Sequence, residues 1–229
     1  MMQAPKPDMF TLEQLETLDY RSDRDGPRRE RPLLVCDVDE VVLHLVEPFE
    51  RVMQERGFEL RAHAFKLTGN VIERETGREA TQDEVWSGLT QLFEEQADRQ
   101  GLVPGAVDGL HRVAEVADVL FLTNLPHIFR DTRRDWLQAN GLDFPLVTNT
   151  GRKSPAIRIL AAHHAGSTGF IDDTPHNLTD VRDALPDIAL FHFMANETFR
   201  TLAGTIDGVD TASGDWDATA SRIAERLMV

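Results

Sequence analysis

One short run constrains this chain more than any other. Leu33–Val42 reads L-L-V-C-D-V-D-E-V-V, an apolar stretch that stops abruptly in two carboxylates. Leu33 to Cys36 have the composition of a strand buried on both faces. Side chains of a strand alternate, so Asp37 and Asp39 are expected on the same face beside the core. Carboxylates so placed repel one another, and the arrangement needs a counter-charge to be tolerable.

Further short apolar runs follow at Val119–Leu122, Leu146–Val147, Gly169–Ile171 and Ala189–Phe193, with helical periodicity between them. Val107, Leu110, Val113 and Ala117 repeat at helical spacing after Pro104-Gly105. Pro126 stands where a helix should begin and Gly141 where it should stop. Ser154-Pro155 and Thr174-Pro175 each set a capping hydroxyl before a proline. A last amphipathic helix carries Trp216, Ile223 and Leu227. Alternating strands and helices imply an α/β fold, a Rossmann-like three-layer core with a parallel sheet of about five strands. Ligands of such sheets bind beyond the carboxyl ends of the strands.

The connection from Asp39 to Val119 is about 80 residues, far longer than one crossover helix requires. It has signals of its own: Phe49, Val52 and Met53 before Gly57, then a possible hairpin, F-K-L-T-G-N-V-I-E, turning at Gly69-Asn70. Thr81-Gln-Asp-Glu84 forms a capping box before Val85, Trp86, Leu89, Leu92 and Phe93. Residues 48–103 are therefore expected to form a small, mainly helical cap inserted into a core made of 32–47 and 104–229. Residues 1–31 are an N-terminal extension with one short helix around Leu12, Leu15 and Leu18, then a charged linker over 21–32.

The ends of the expected strands carry Asp37 and Asp39; Thr123 and Asn124; Lys153 at a helix start; and Asp172 and Asp173. One sheet edge would gather four carboxylates, a hydroxyl and an ammonium. Oxygen-only ligands without His or Cys suit a hard divalent cation such as Mg²⁺, which accepts water and phosphate oxygen in its shell. The net charge of −15, from 39 acidic and 24 basic residues, argues against nucleic acid as a partner. The one cysteine, Cys36, excludes an internal disulfide. No stretch approaches the length of a membrane span and the first residues lack a signal-peptide core, so the expectation is cytoplasmic.

The ordered set D-V-D-E-V, F-L-T-N, K-S-P and F-I-D-D-T-P-H-N resembles the four motifs of the haloacid dehalogenase superfamily, with the insertion where capped, phosphatase-like members place theirs. The resemblance implies a Mg²⁺-dependent phosphohydrolase acting on a small phosphorylated metabolite. By matching position, Asp37 would be the nucleophile and Asp39 the general acid and base. Thr123, Asn124 and Lys153 would bind the phosphoryl group, with Thr123 and Lys153 also serving catalysis. Asp37, Asp172, Asp173 and the main-chain carbonyl of Asp39 would hold the metal. An acid at Asp39 suits an alkoxide leaving group and so favours phosphoryl transfer over dehalogenation. Glu40 and Val41 depart from the commoner glycine and threonine, and Asn177 from an aspartate. A phosphomutase, a phosphonate hydrolase and a non-catalytic binding protein of the same fold remain as alternatives.

Overall fold

A computed structural model describes residues 6–18 and 29–228. The charged stretch 21–28 lies outside the described residues. The helix α1 (Met9–Thr17) precedes β1 (Leu33–Cys36), every residue of which is buried. The long insertion then supplies α2 (Val46–Glu55), β2 (Phe58–Leu60), β3 (Val71–Glu73), α3 (Gln82–Glu94) and α4 (Gln96–Arg99). Next come α5 (Ala106–Val116), β4 (Asp118–Thr123), α6 (Arg130–Ala139), β5 (Leu146–Thr148), α7 (Ser154–Ala162) and β6 (Thr168–Asp172). The chain ends with α8 (Pro175–Ala184), β7 (Ala189–Phe193), α9 (Glu197–Ala203), β8 (Asp210–Ser213) and α10 (Trp216–Leu227).

The main sheet runs β5-β4-β1-β6-β7-β8, and every neighbouring pair is parallel. It has six strands where about five were expected. The additional one, β8, is four residues of D-T-A-S with a register shift against β7, so it has no apolar run to betray it. Leu34 and Cys36 face one apolar layer with Val113 of α5 and Trp216 and Ile223 of α10. Leu33 and Val35 face the other, with Leu15, Ile157 and Leu178 from α1, α7 and α8. From β1 the chain builds outward to β4 and β5, then returns to β6 on β1's other side. Strand order reverses at β1, and a crevice opens there at the carboxyl ends.

Between β1 and β4 the insertion holds an apolar cluster of its own, centred on Phe49, Val52, Met53, Val85 and Leu92. Its helix boundaries run close to expectation: both halves of the Thr81–Glu84 capping box form at the start of α3, and Gly57 takes φ +87 just after the end of α2. Three details differ. The antiparallel pair is β2 with β3, so residues 61–70 are a long connection and Gly69-Asn70 merely ends it. Trp86 falls off the buried face of α3 and is exposed. Pro126 precedes a short 3₁₀ turn, His127–Phe129, rather than opening α6 itself.

Neither proline-linked hydroxyl caps its helix. Ser154 lies inside α7, whose N-cap is Lys153. Thr174 precedes α8, but its hydroxyl donates to Asp173 Oδ1 at 2.9 Å.

Helix α1 closes the β5 edge of the sheet. The Gln14 carboxamide accepts from Thr148 N at 2.8 Å and donates to Thr148 O at 3.3 Å, occupying both backbone groups of that residue. Asp8 caps α1 through Thr11 and also accepts from Thr150 Oγ1 at 2.9 Å and pairs with His127 Nε2 at 3.1 Å. Partial burial alone would raise the Asp8 carboxyl, but the bonds from Thr11 and Thr150 and the nearby His127 outweigh it and hold the group well below the usual carboxylate range. A depressed folded value gives stability that is complete above the unfolded carboxylate range, about 4, and is lost as pH falls through the folded one. Asp8→Ala is therefore expected to cost about 1 kcal/mol, near 2–4 °C in Tm, at pH 7. Thermal melts should show that difference shrinking as pH falls below about 4, because the unfolded chain then takes up a proton that the folded carboxylate still resists.

Candidate active site

The β1 run ends at Cys36, and Asp37 N donates to Ile171 O at 3.0 Å, which fixes Asp37 at the reversal point between β1 and β6. Lys153, only 1% exposed, lies between two carboxylates. Its Nζ is 2.7 Å from Asp37 Oδ1 and 2.6 Å from Asp172 Oδ2. Burial alone would lower its pKa, but Asp172 and Asp37 raise it above the ordinary lysine value, so the ammonium stays charged.

Asp172 ends β6 fully buried. Its Oδ1 accepts from Thr174 N at 2.8 Å and Asn177 Nδ2 at 2.9 Å, so Asn177 does support the acidic cluster although it replaces a carboxylate. Asp173 follows, and its carbonyl pairs with His192 Nε2 at 2.9 Å. One oxygen each from Asp37, Asp172 and Asp173 lies within 4.8 Å of the others. Burial raises Asp37 to about 7, with Lys153 opposing and Asp172 and Asp39 adding. Burial, reinforced by Asp172 and Asp37, also raises Asp173 well above the carboxylate range. Three crowded carboxylates against one ammonium leave the site short of positive charge, and a hard dication fits this donor set.

Thr123 ends β4, buried beside β1. Asn124 is exposed and helps fasten the next strand end: its Oδ1 accepts from Asn149 Nδ2 at 2.8 Å and its Nδ2 donates to Gly151 O at 3.0 Å.

Asp39 does not share the partners of Asp37. Its Oδ1 accepts from Gln100 Nε2 at 2.9 Å and Arg133 Nη1 at 3.2 Å. Three carboxylates converge rather than four, because β1 ends before Asp39 and the strict alternation of a strand no longer applies. Arg133 is completely buried and its other donors go to Gln96 Oε1 at 2.5 Å and Gln100 Oε1 at 2.9 Å. This Arg133–Gln96–Gln100 group was not legible in sequence. Its one trace is the i, i+4 pair of glutamines, which a polar helix face explains equally well.

No protein-family model matches the chain, and no curated protein matches it in sequence. Solved structures do. A haloacid dehalogenase-like family hydrolase from Streptococcus pneumoniae superposes with a TM-score of 0.53 at 11% identity, over 84% of this chain and 98% of its own. A haloacid dehalogenase-like protein of unknown function from Agrobacterium tumefaciens gives 0.54 at 16%, over 84% and 98%. A candidate beta-phosphoglucomutase from Bacteroides vulgatus gives 0.51 at 16%, over 96% and 99%. The chain has the haloacid dehalogenase fold.

Within that fold, the departures at Glu40 and Val41 have physical explanations. Glu40 adopts φ +60, the left-handed region that glycine occupies without strain, so a glycine at this position would fit the same backbone. Here a side chain compensates: Glu40 Oε1 accepts from Leu45 N and Val46 N, both at 2.7 Å, and Oε2 from Asn196 N at 2.8 Å. The buried carboxylate thus caps α2 at the entry to the insertion and ties it to the loop after β7. Val41 is buried in the core, and its carbonyl accepts from Trp216 Nε1 at 2.8 Å.

Substitutions at position 40 separate these effects. Glu40→Ala loses the three acceptor contacts and keeps the strained backbone, so it should destabilise by about 2–4 kcal/mol. Glu40→Gly should cost about 1 kcal/mol less than Glu40→Ala because it relieves φ. Denaturant unfolding of both variants measures the order.

Proposed function

We propose that this protein is a Mg²⁺-dependent phosphohydrolase that moves the phosphoryl group of a small phosphate monoester first to Asp37 and then to water. The observation that carries this reading is the buried Lys153 ammonium, held by Asp37 and Asp172 within an acidic triad at the sheet's reversal point. Asp37 Oδ attacks phosphorus while the ester P–O bond breaks, and Asp39 gives its proton to the departing alkoxide. Asp39, now ionised, takes a proton from water, whose oxygen attacks the phosphorus of the aspartyl-phosphate. Orthophosphate leaves and Asp37 is regenerated. Both side-chain contacts of Asp39 fall on Oδ1, and Oδ2 is the oxygen left to face the reacting group.

Lys153 offsets charge on Asp37 and on the phosphoryl oxygens, and Thr123 and Asn124 lie at the strand end that would receive those oxygens. Asp37, Asp172, Asp173 and the Asp39 carbonyl would hold Mg²⁺, which when bound orients the phosphoryl group and offsets its charge. The non-catalytic alternative drew its support from Glu40, Val41 and Asn177. Each has a structural task here that leaves the acidic triad intact, which favours catalysis.

Phosphate release from a panel of phosphomonoesters should require Mg²⁺. Asp37→Asn should lower it about a thousandfold or more, and Asp39→Asn by about a hundredfold or more. Purified protein that hydrolyses none of the esters, or an Asp37→Asn variant with undiminished activity, would overturn the proposal.

Metal binding has a readout of its own. Mg²⁺ at about a hundred times its Kd should stabilise the chain by about 2.7 kcal/mol and raise Tm by several degrees. A chelator should reverse the shift, and Asp173→Asn should abolish it.

A further inference from the structure

A cavity of 530 Å³ opens directly against Asp173 and Thr174, between the insertion and the core. Its walls come from three segments far apart in sequence. The connection between β2 and β3 supplies Phe65 and Leu67, the approach to α2 supplies Leu45, and the region after β7 supplies Met194, Phe199 and Ala203. Phe65 and Phe199 meet edge to face with centroids 5.9 Å apart, so the two sides form one continuous apolar surface. Lys66 and His176 also line the cavity, and both are exposed. Glu40 also lines the cavity, but its oxygens are committed to the backbone N–H groups of Leu45, Val46 and Asn196.

A sugar phosphate seated here would bury several hydroxyls against Phe, Leu and Met side chains that offer no hydrogen bond, and each unpaired hydroxyl is penalised. An alkyl chain or aromatic ring would instead gain from burial. Resting on the phosphohydrolase reading, we infer that the alcohol carried by the substrate is apolar: the site takes an alkyl or aryl phosphate rather than a phosphorylated sugar. The phosphate lies at the Asp173 end and the apolar group extends between Leu67 and Phe199.

Non-hydrolysable phosphonates read the cavity without requiring turnover. Calorimetry on the full chain with Mg²⁺ should show Kd falling about two- to fourfold per methylene from methyl- through butyl- to hexylphosphonate. Leu67→Glu and Ala203→Asp, at half-buried wall positions on opposite sides, should each flatten that dependence. A Kd independent of chain length, no phosphonate binding at all, or tighter binding of glucose 6-phosphate than of hexylphosphonate would overturn the inference. Assaying hexyl phosphate hydrolysis in parallel keeps the two readings apart. Chain-length-dependent binding without hydrolysis sustains the apolar cavity and sinks the phosphohydrolase. Hydrolysis of short esters with flat phosphonate binding does the reverse.

Discussion

The Lys153 ammonium, clasped between Asp37 and Asp172, is the interaction around which the site is arranged. It joins the start of α7 to the ends of β1 and β6, so one side chain fixes three elements of the sheet edge. Removing one partner of a buried ionic group typically costs about 3–5 kcal/mol, because the charges left behind have lost their hydration. The position is locally unfavourable, since a cation at a helix N-terminus opposes the helix dipole. That conflict between helix chemistry and site chemistry is resolved by the carboxylates, which require the charge.

A second cation handles the other aspartate. Asp37 and Asp39 are only two residues apart, yet one answers to Lys153 and the other to Arg133. The break in β1 after Cys36 makes this division possible, since a continuing strand would have left both carboxylates on one face. Arg133 also bonds Gln96 and Gln100, in and just beyond α4. The environment of Asp39 is therefore shared between the core helix α6 and the end of the insertion.

Most of the sheet was legible because its strands are apolar runs bounded by proline, glycine and capping residues. The site was legible for a related reason: polar residues at the end of a buried strand have no packing role to explain them, so Asp37, Lys153, Asp172 and Asp173 stand out. The features that were not legible lacked that contrast. Strand β8 is polar and short. Arg133 belongs to R-D-T-R-R-D, a sequence that reads as a solvated helix face and is buried only because glutamines from a distant segment meet it. The cavity wall joins Leu67 to Phe199 across more than a hundred residues, and no local pattern records such a meeting. Glu40 was visible as an anomaly, but its meaning needed the φ angle and the three amides that converge on it.

Both edges of the main sheet are guarded, by different means. At one side the Gln14 carboxamide occupies the backbone groups of Thr148, imitating a neighbouring strand with a single side chain. At the other, β8 is four residues long and is bent by Thr211 at φ +49. An all-parallel sheet with flat, open margins invites a second chain to add itself by backbone pairing. Here the segment that shields one margin comes from before β1 in the chain, so residues 6–18 do more than precede the fold: they occupy the outward backbone groups of Thr148 at the edge of the sheet.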